Sequence, residues 1–230
     1  MITELNEVKS RIEQFQQECK ISEQLVEGGG RLYTTPDGKN YPSVTTVLGA
    51  MEDKTWLKDW YAAVGEEEAK RITRESAQRG TEMHHLIENY LTGGEIDKSL
   101  SGFSCFNKLK IYLNKITPLG IEVPLWSDRL RVAGRTDCIG IYNGKLCIID
   151  FKSARSEKRP ETITGYFRQV TLYSMMLHER LGISAKHLVI LIGTADGFPQ
   201  EFKRDVKFFV KDTFHIVRAY HEQYGDGQSV

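Results

Sequence analysis

The chain has 230 residues, 40% hydrophobic and 27% charged, the make-up of one sizeable globular domain, which excludes disordered, collagen-like and fibrous chains. Its 31 basic and 31 acidic residues cancel, so any nucleic-acid contact has to come from a local patch. No apolar run approaches the roughly 20 residues a bilayer-spanning helix needs, and the acidic opening Met1-Ile2-Thr3-Glu4 lacks signal- or transit-peptide character, which predicts a cytoplasmic protein.

In chain order, Leu5, Val8, Ile12, Phe15 and Cys19 recur at spacings of three and four. They line one face of a helix, and the chain's own core is expected to cover it. Gly28-Gly29-Gly30 and Pro36-Asp37-Gly38 break residues 21–42 into short strands. The glycine triplet is no phosphate loop, because no Gly-Lys-Ser/Thr follows it. Ser43, beside Pro42, caps a helix over 44–48. Helices fill 55–91 with interruptions at Gly65 and Gly80, and another spans Cys105–Ile116, ending before Pro118. Residues 120–152 turn rich in Val, Ile, Leu and Tyr around Asn143-Gly144, a strong hairpin signal. A helix over 161–181, a buried strand over 188–192, an edge strand over 202–206 and a closing helix over 208–224 complete the chain. Cys19, Cys105, Cys138 and Cys147 form no Cys-x-x-Cys and read as reduced, mostly buried thiols. The sum is a single α/β domain over 1–230, with a central mixed sheet flanked by helices. Residues 1–117 form a mainly helical cap and 118–230 a β-β-α-β core with a closing helix.

The hairpin carries the chemistry. With Asn143 and Gly144 as the two central turn residues, Tyr142 faces Lys145, Gly140 faces Cys147 and Asp137 faces Asp150. Two carboxylates then stand about 4.5–5.5 Å apart at Cβ, and Lys152 shares the face of Asp150 while Phe151 points the other way. Facing acids in apolar strands call for compensation. A divalent cation would supply it, and hard oxygen donors suit Mg²⁺ or Mn²⁺. Lys152 would orient or deprotonate an attacking water, or stabilise charge developing on a phosphate. Alternatively both acids face solvent and Lys152 merely neutralises them.

Gly134-Arg135-Thr136-Asp137, Ile148-Ile149-Asp150-Phe151-Lys152-Ser153, and Gln169 with Tyr173, taken together, resemble the RecB-type branch of the PD-(D/E)XK nuclease superfamily. Within that branch the chain is most similar to the mitochondrial genome maintenance exonuclease group and its phage relatives. Pro42-Ser43-Val44-Thr45 and the segment from Gly80 through His84 to Glu88 extend the likeness upstream. The resemblance implies a restriction-endonuclease-like core, with Asp137 and Asp150 as acidic metal ligands, Lys152 as the catalytic lysine and the Phe151 carbonyl as an ancillary ligand. It gives His84 the place of the histidine completing the metal shell. His85 sits beside it, but His84 and Glu88, four apart, share a helix face. Gln169 and Tyr173 correspond to an element that contacts DNA and braces the site. Ser43 and Thr45 correspond to residues near the scissile phosphate, although capping accounts for part of Ser43.

For DNA, Lys152, Arg155, Lys158 and Arg159 stand against one acid, Glu157, and Arg168 follows on the next helix. Lys70, Arg71, Arg74 and Arg79 accompany Trp56, Trp60 and Tyr61, which could stack on bases; core packing is the leading role for each Trp. The expected activity is a Mg²⁺- or Mn²⁺-dependent DNA exonuclease preferring single-stranded or flapped ends, in a bacterial or phage-infected cytoplasm. A structure-selective endonuclease and an inactive DNA-end-binding accessory protein are the alternatives.

Overall fold

The structure is a computed structural model that describes residues 2–26 and 30–225, apart from the side chains of residues 2 and 3. The spaced apolar face of the N-terminus forms α1 (Ile2–Glu18), and the chain's own core covers it. Ile12 and Phe15 are buried there, and Phe15 stacks on Trp126 at 5.6 Å. Three short strands follow, β1 (Ser22–Leu25), β2 (Arg31–Thr34) and β3 (Asn40–Pro42), paired antiparallel in that order. Of Gly28-Gly29-Gly30 only Gly30 falls among the described residues. Ser43 caps α2 (Val44–Ala50), its Oγ accepting the Thr46 N–H at 2.9 Å.

The next helices are α3 (Thr55–Val64), α4 (Glu66–Thr92) and α5 (Phe103–Leu113). Here the structure corrects three expectations. Gly65 does divide α3 from α4, but α4 runs unbroken through Gly80. A mid-helix glycine costs about 1 kcal/mol, and burial of Met83, Leu86 and Ile87 on the same helix offsets it. Secondly, α5 ends at Leu113, because Ile116 is already a sheet residue opposite Tyr142. Thirdly, Trp56 is 62% exposed and α3 contains no buried residue, so core packing does not explain its tryptophans. The core faces are already covered, and α3 packs on α4 instead.

The central sheet is built from β4 (Ile116–Ser127), β5 (Val132–Tyr142), β6 (Lys145–Ala154), β7 (His187–Thr194) and β8 (Gln200–Asp205), in that spatial order. All neighbours are antiparallel except β6 and β7, which are parallel and joined through α6 (Thr164–Leu181). Parallel neighbours need such a crossover. A closing helix, α7 (Val210–Tyr224), follows β8. On one face of the sheet, α1, α2, α6 and α7 pack around Ile139, Ile148 and Ile190. On the other, α4 and α5 bury Met83, Phe106 and Leu109 against Cys138, Ile149, Phe151 and Leu191. Burying each Leu, Ile or Phe contributes about 1.5–3 kcal/mol, so the site is carried on a sheet held from both sides.

The hairpin forms as its turn residues dictate. Asn143 and Gly144 have φ of 49° and 76°, the two left-handed residues of a type I′ turn. Pairing runs from Tyr142–Lys145 to Cys138–Ile149 in the expected register. It stops there, so Asp137 is not a ladder partner of Asp150. The Phe151 N–H donates to Asp137 Oδ2 at 2.8 Å instead, and a side chain takes over where the main-chain ladder ends.

Candidate active site

Strand alternation sends Asp150 and Lys152 toward α6 and Phe151 into the opposite core. Asp150 is 1% exposed, which removes the possibility that these acids merely face solvent. Lys152 Nζ donates to Asp150 Oδ1 at 2.7 Å and to Gln169 Oε1 at 3.2 Å, and lies 5.3 Å from the Tyr166 ring centre. Asp150 Oδ2 is buried, lies 2.7 Å from the same Lys152 ammonium, and has no other polar partner. Burial pushes the Asp150 carboxyl above its ordinary range; Lys152 draws it back and Asp137 adds to the rise. For Lys152, burial works to lower the pKa, but Asp150 and then Asp137 outweigh it and the net shift is upward. Lys152 is therefore an ammonium at neutral pH.

Three further groups converge beside this pair. His84 Nε2 lies 2.8 Å from Phe151 O, and a carbonyl only accepts, so Nε2 carries the hydrogen. Its Nδ1 lies 3.6 Å from Asp137 Oδ2. His85, by contrast, is exposed and pairs with Asn89. Glu122 on β4 completes the group: one donor atom each from His84, Glu122 and Asp137 falls within 4.8 Å of the others. Glu122 holds φ at 50°, a left-handed conformation that a non-glycine residue adopts only when its surroundings enforce it. Burial, with Asp137 next, pushes its carboxyl up to about 7.

These groups open into a cleft of about 550 Å³. It brings together seven of the residues expected from sequence: Ser43, Thr45, His84, Asp137, Lys152, Gln169 and Tyr173. Asp150 lies beneath it, and the Phe151 carbonyl is reached by His84. Tyr173 is buried at 4% exposure and braces the site from below; a Cβ at Gly134 would lie 2.9 Å from its Oη. Burial, then the Asp137 and Asp150 carboxylates, push the Tyr173 phenol upward, so it stays protonated.

Three expected residues lie outside the cleft. Arg168 reaches across to Asp212 on α7 at 2.7 Å, and Arg155 pairs in solvent with Asp196 at 3.1 Å. Glu88 is exposed one turn beyond His84. Lys70 and Arg71 are likewise engaged by acids on their own helix. Sequence reasoning missed Glu122, and also Arg31 and Arg135, which line the cleft wall. Arg31 Nη2 donates to Thr45 Oγ1 at 2.9 Å.

The donor set suits a hard divalent cation: the Glu122 and Asp137 carboxylates and the His84 imidazole lie close together, with the buried Asp150 carboxylate beneath them. Residues 51–195, more than half of the chain, match the sequence profile of the PD-(D/E)XK nuclease superfamily. The chain belongs to that superfamily. PD-(D/E)XK nucleases use divalent metal ions, and the acids and histidine gathered around Asp137, midway along β5, are the groups that could hold one here. The chain is 24% identical over 173 residues to human mitochondrial genome maintenance exonuclease 1, covering 69% of this chain and 50% of that protein. It is 26% identical over 130 residues to the mouse protein of the same name, covering 51% and 38%. The chain thus spans about half the length, or less, of these relatives. Among solved structures, SSO0001 overlaps at a TM-score of 0.42 and 15% identity, covering 97% of this chain and 87% of that one. Among the described residues no helix is long and apolar enough to cross a membrane.

Proposed function

We propose that this PD-(D/E)XK nuclease is a deoxyribonuclease dependent on Mg²⁺ or Mn²⁺ that hydrolyses phosphodiester bonds from DNA ends. Its preferred substrates are single-stranded or flapped ends, as arise in replication, recombination and repair. One observation carries the reading: the buried Asp150–Lys152 pair opens into the same cleft as His84, Glu122 and Asp137. The exonuclease names of its relatives support the choice of end over internal cutting. Exposed Trp56, with half-buried Trp60 and Tyr61 on α3, supplies stacking surface of the kind that holds single strands.

Asp137, Asp150, Glu122, His84 and the Phe151 carbonyl would hold the cation. When bound, it supplies Lewis acidity to the phosphate and acidifies an attacking water. Lys152, held as an ammonium by Asp150 and Gln169, places positive charge where negative charge develops on the phosphoryl oxygens. Gln169 fixes that ammonium, Tyr173 fixes the floor, and Arg31 with Thr45 presents donors to a backbone phosphate along the cleft wall.

The test is end-labelled linear and circular single-stranded DNA incubated with wild type and Lys152→Ala, with Mg²⁺, Mn²⁺ or chelator. The expected result is loss of linear strands in either metal, with circles intact and no activity in chelator or in the variant. Cut circles would show an endonuclease; binding without cleavage in either metal would show an end-binding protein.

A further inference from the structure

The sheet end farthest from the active site carries a second cleft that the mechanism does not use. It encloses about 420 Å³ between the Asn143 turn, the start of β7 and the end of β8. Tyr142, Cys147, Leu188 and Val189 line it as a mostly apolar surface, and Phe208, 66% exposed, stands at its edge. Lys145, Lys203 and Arg204 border it, with Lys207 next to Phe208 and 5.1 Å from that ring's centre.

The charge there is unbalanced. Among the described residues, Lys145 and Arg204 are exposed and have no carboxylate at ion-pair distance; Arg204 donates to Lys203 O at 2.8 Å and lies 5.8 Å from the Phe167 ring centre. Asp205, the one carboxylate lining the cleft, is engaged by His187 Nδ1 at 2.8 Å and lies 4.0 Å from Lys207 Nζ, and Glu201 nearby is engaged by Lys203 at 2.7 Å. A neutral chain that gathers exposed cations around an exposed aromatic ring offers the two elements that single strands need, charge for the backbone and a face for a base.

Resting on the nuclease reading above, we propose that this far-end cleft is a second holding site for the single-stranded part of the substrate. Phosphates lie on Lys145, Arg204 and Lys207, and a base lies against Phe208. Lys152 lies seven residue steps along β6 from Lys145, about 23 Å at ~3.3 Å per step. A single strand spans that distance with roughly seven nucleotides at the ~3.4 Å rise of a helical strand, and with about four when drawn out to about twice that rise. A strand of about three nucleotides reaches the active site alone even when extended, and one of about 30 engages both.

The experiment compares wild type, Lys145→Glu/Arg204→Glu/Lys207→Glu and Phe208→Ala, binding fluorescent strands of about 3 and about 30 nucleotides across a salt series. Cleavage is scored in parallel with Mg²⁺. All four side chains are exposed, so folding is retained, and thermal melts verify it. For the longer strand, the triple variant loses affinity about tenfold or more. Its slope of log K against log salt falls by about 2, from ~0.7 for each of three phosphates. Phe208→Ala loses about fivefold or more on the same strand. Binding and cleavage of the shorter strand stay at wild-type levels in all variants. Unchanged affinity and slope for the longer strand, with wild type cutting both strands, overturns the far site alone. An acidic protein segment as the true occupant would give that result. Failure of the wild type to cut either strand is the failure of the nuclease reading, and the proposal falls with it.

Discussion

The two ends of the central sheet handle charge in opposite ways. At the active-site end, Asp150 is 1% exposed, and its one polar contact, Lys152, is itself tied to Gln169 on α6. At the far end Lys207 keeps 70% of its side chain in solvent, and Arg204 has no carboxylate partner among the described residues. A charge in the low-dielectric interior interacts strongly with few neighbours, and removing one partner leaves the other stranded. An exposed cation is screened and worth little alone, so it acts only in company. One end is therefore fitted to act on a single phosphate and the other to contact a length of backbone.

The largest expected effect breaks the buried end. Lys152→Ala lowers nuclease activity at least about 10²- to 10³-fold, as loss of a preorganised charge donor does. The same change destabilises the fold by about 3–5 kcal/mol near pH 8, where Asp150 is left charged and unpaired. The sign follows from the raised Asp150 pKa: a carboxyl that binds its proton more tightly folded than unfolded stabilises the fold at low pH and loses that contribution as pH rises. Chemical denaturation of the variant should show a smaller deficit in acid than in base. An equal deficit at both would detach the effect from Asp150.

Next comes the brace. Gly134→Ala places a methyl 2.9 Å from Tyr173 Oη and 3.1 Å from its Cε1, and is expected to cost about 1–3 kcal/mol in urea melts. Adding Tyr173→Phe removes the nearer contact and should recover part of the loss. No recovery would mean that the strand itself, and not the ring, resists the methyl.

A smaller effect sharpens the electrostatic side. Glu122 titrates near 7 in the fold against 4.5 ordinarily, so wild type loses stability as pH climbs through that window. Glu122→Gln should flatten the dependence of Tm on pH there. Added Mg²⁺ should restore wild type near neutrality more than it does the variant. An identical slope in both proteins would mean that Glu122 is not the titrating group. The least effect is expected from Arg168→Ala, which removes an α6–α7 ion pair at 2.7 Å with the Asp212 side chain 48% exposed. Stability should move by no more than about 1 kcal/mol and activity by less than about twofold. A large drop in DNA affinity would return Arg168 to the nucleic-acid surface.

What was legible in the sequence follows from local rules. Asn143-Gly144 set the register of the hairpin, alternation placed Lys152 with Asp150, and helical spacing chose His84 over His85. Glu122 was not legible, because its place in the site depends on a left-handed backbone and on a β4–β5 register shifted between Pro118 and Gly120. The β4–β5 connection, Asp128-Arg129-Leu130-Arg131, has no glycine to announce its geometry. Arg168 is a different case. Its charge suggested phosphate, but α7, a distant part of the chain, supplies Asp212 and claims it. Positions fixed by short-range geometry could be read; those fixed by a distant partner could not.

The turn at Asn143-Gly144 also works as a ruler. Counting from it decides which side of the sheet Asp150 and Lys152 occupy. One extra residue between the turn and Asp150 would move both onto the α5 side and bring Phe151 around in their place. Two extra residues would restore the side but slide both groups about 6.6 Å along the strand, past Asp137. The chain can lengthen its outer loops freely, but this short span has a single workable length.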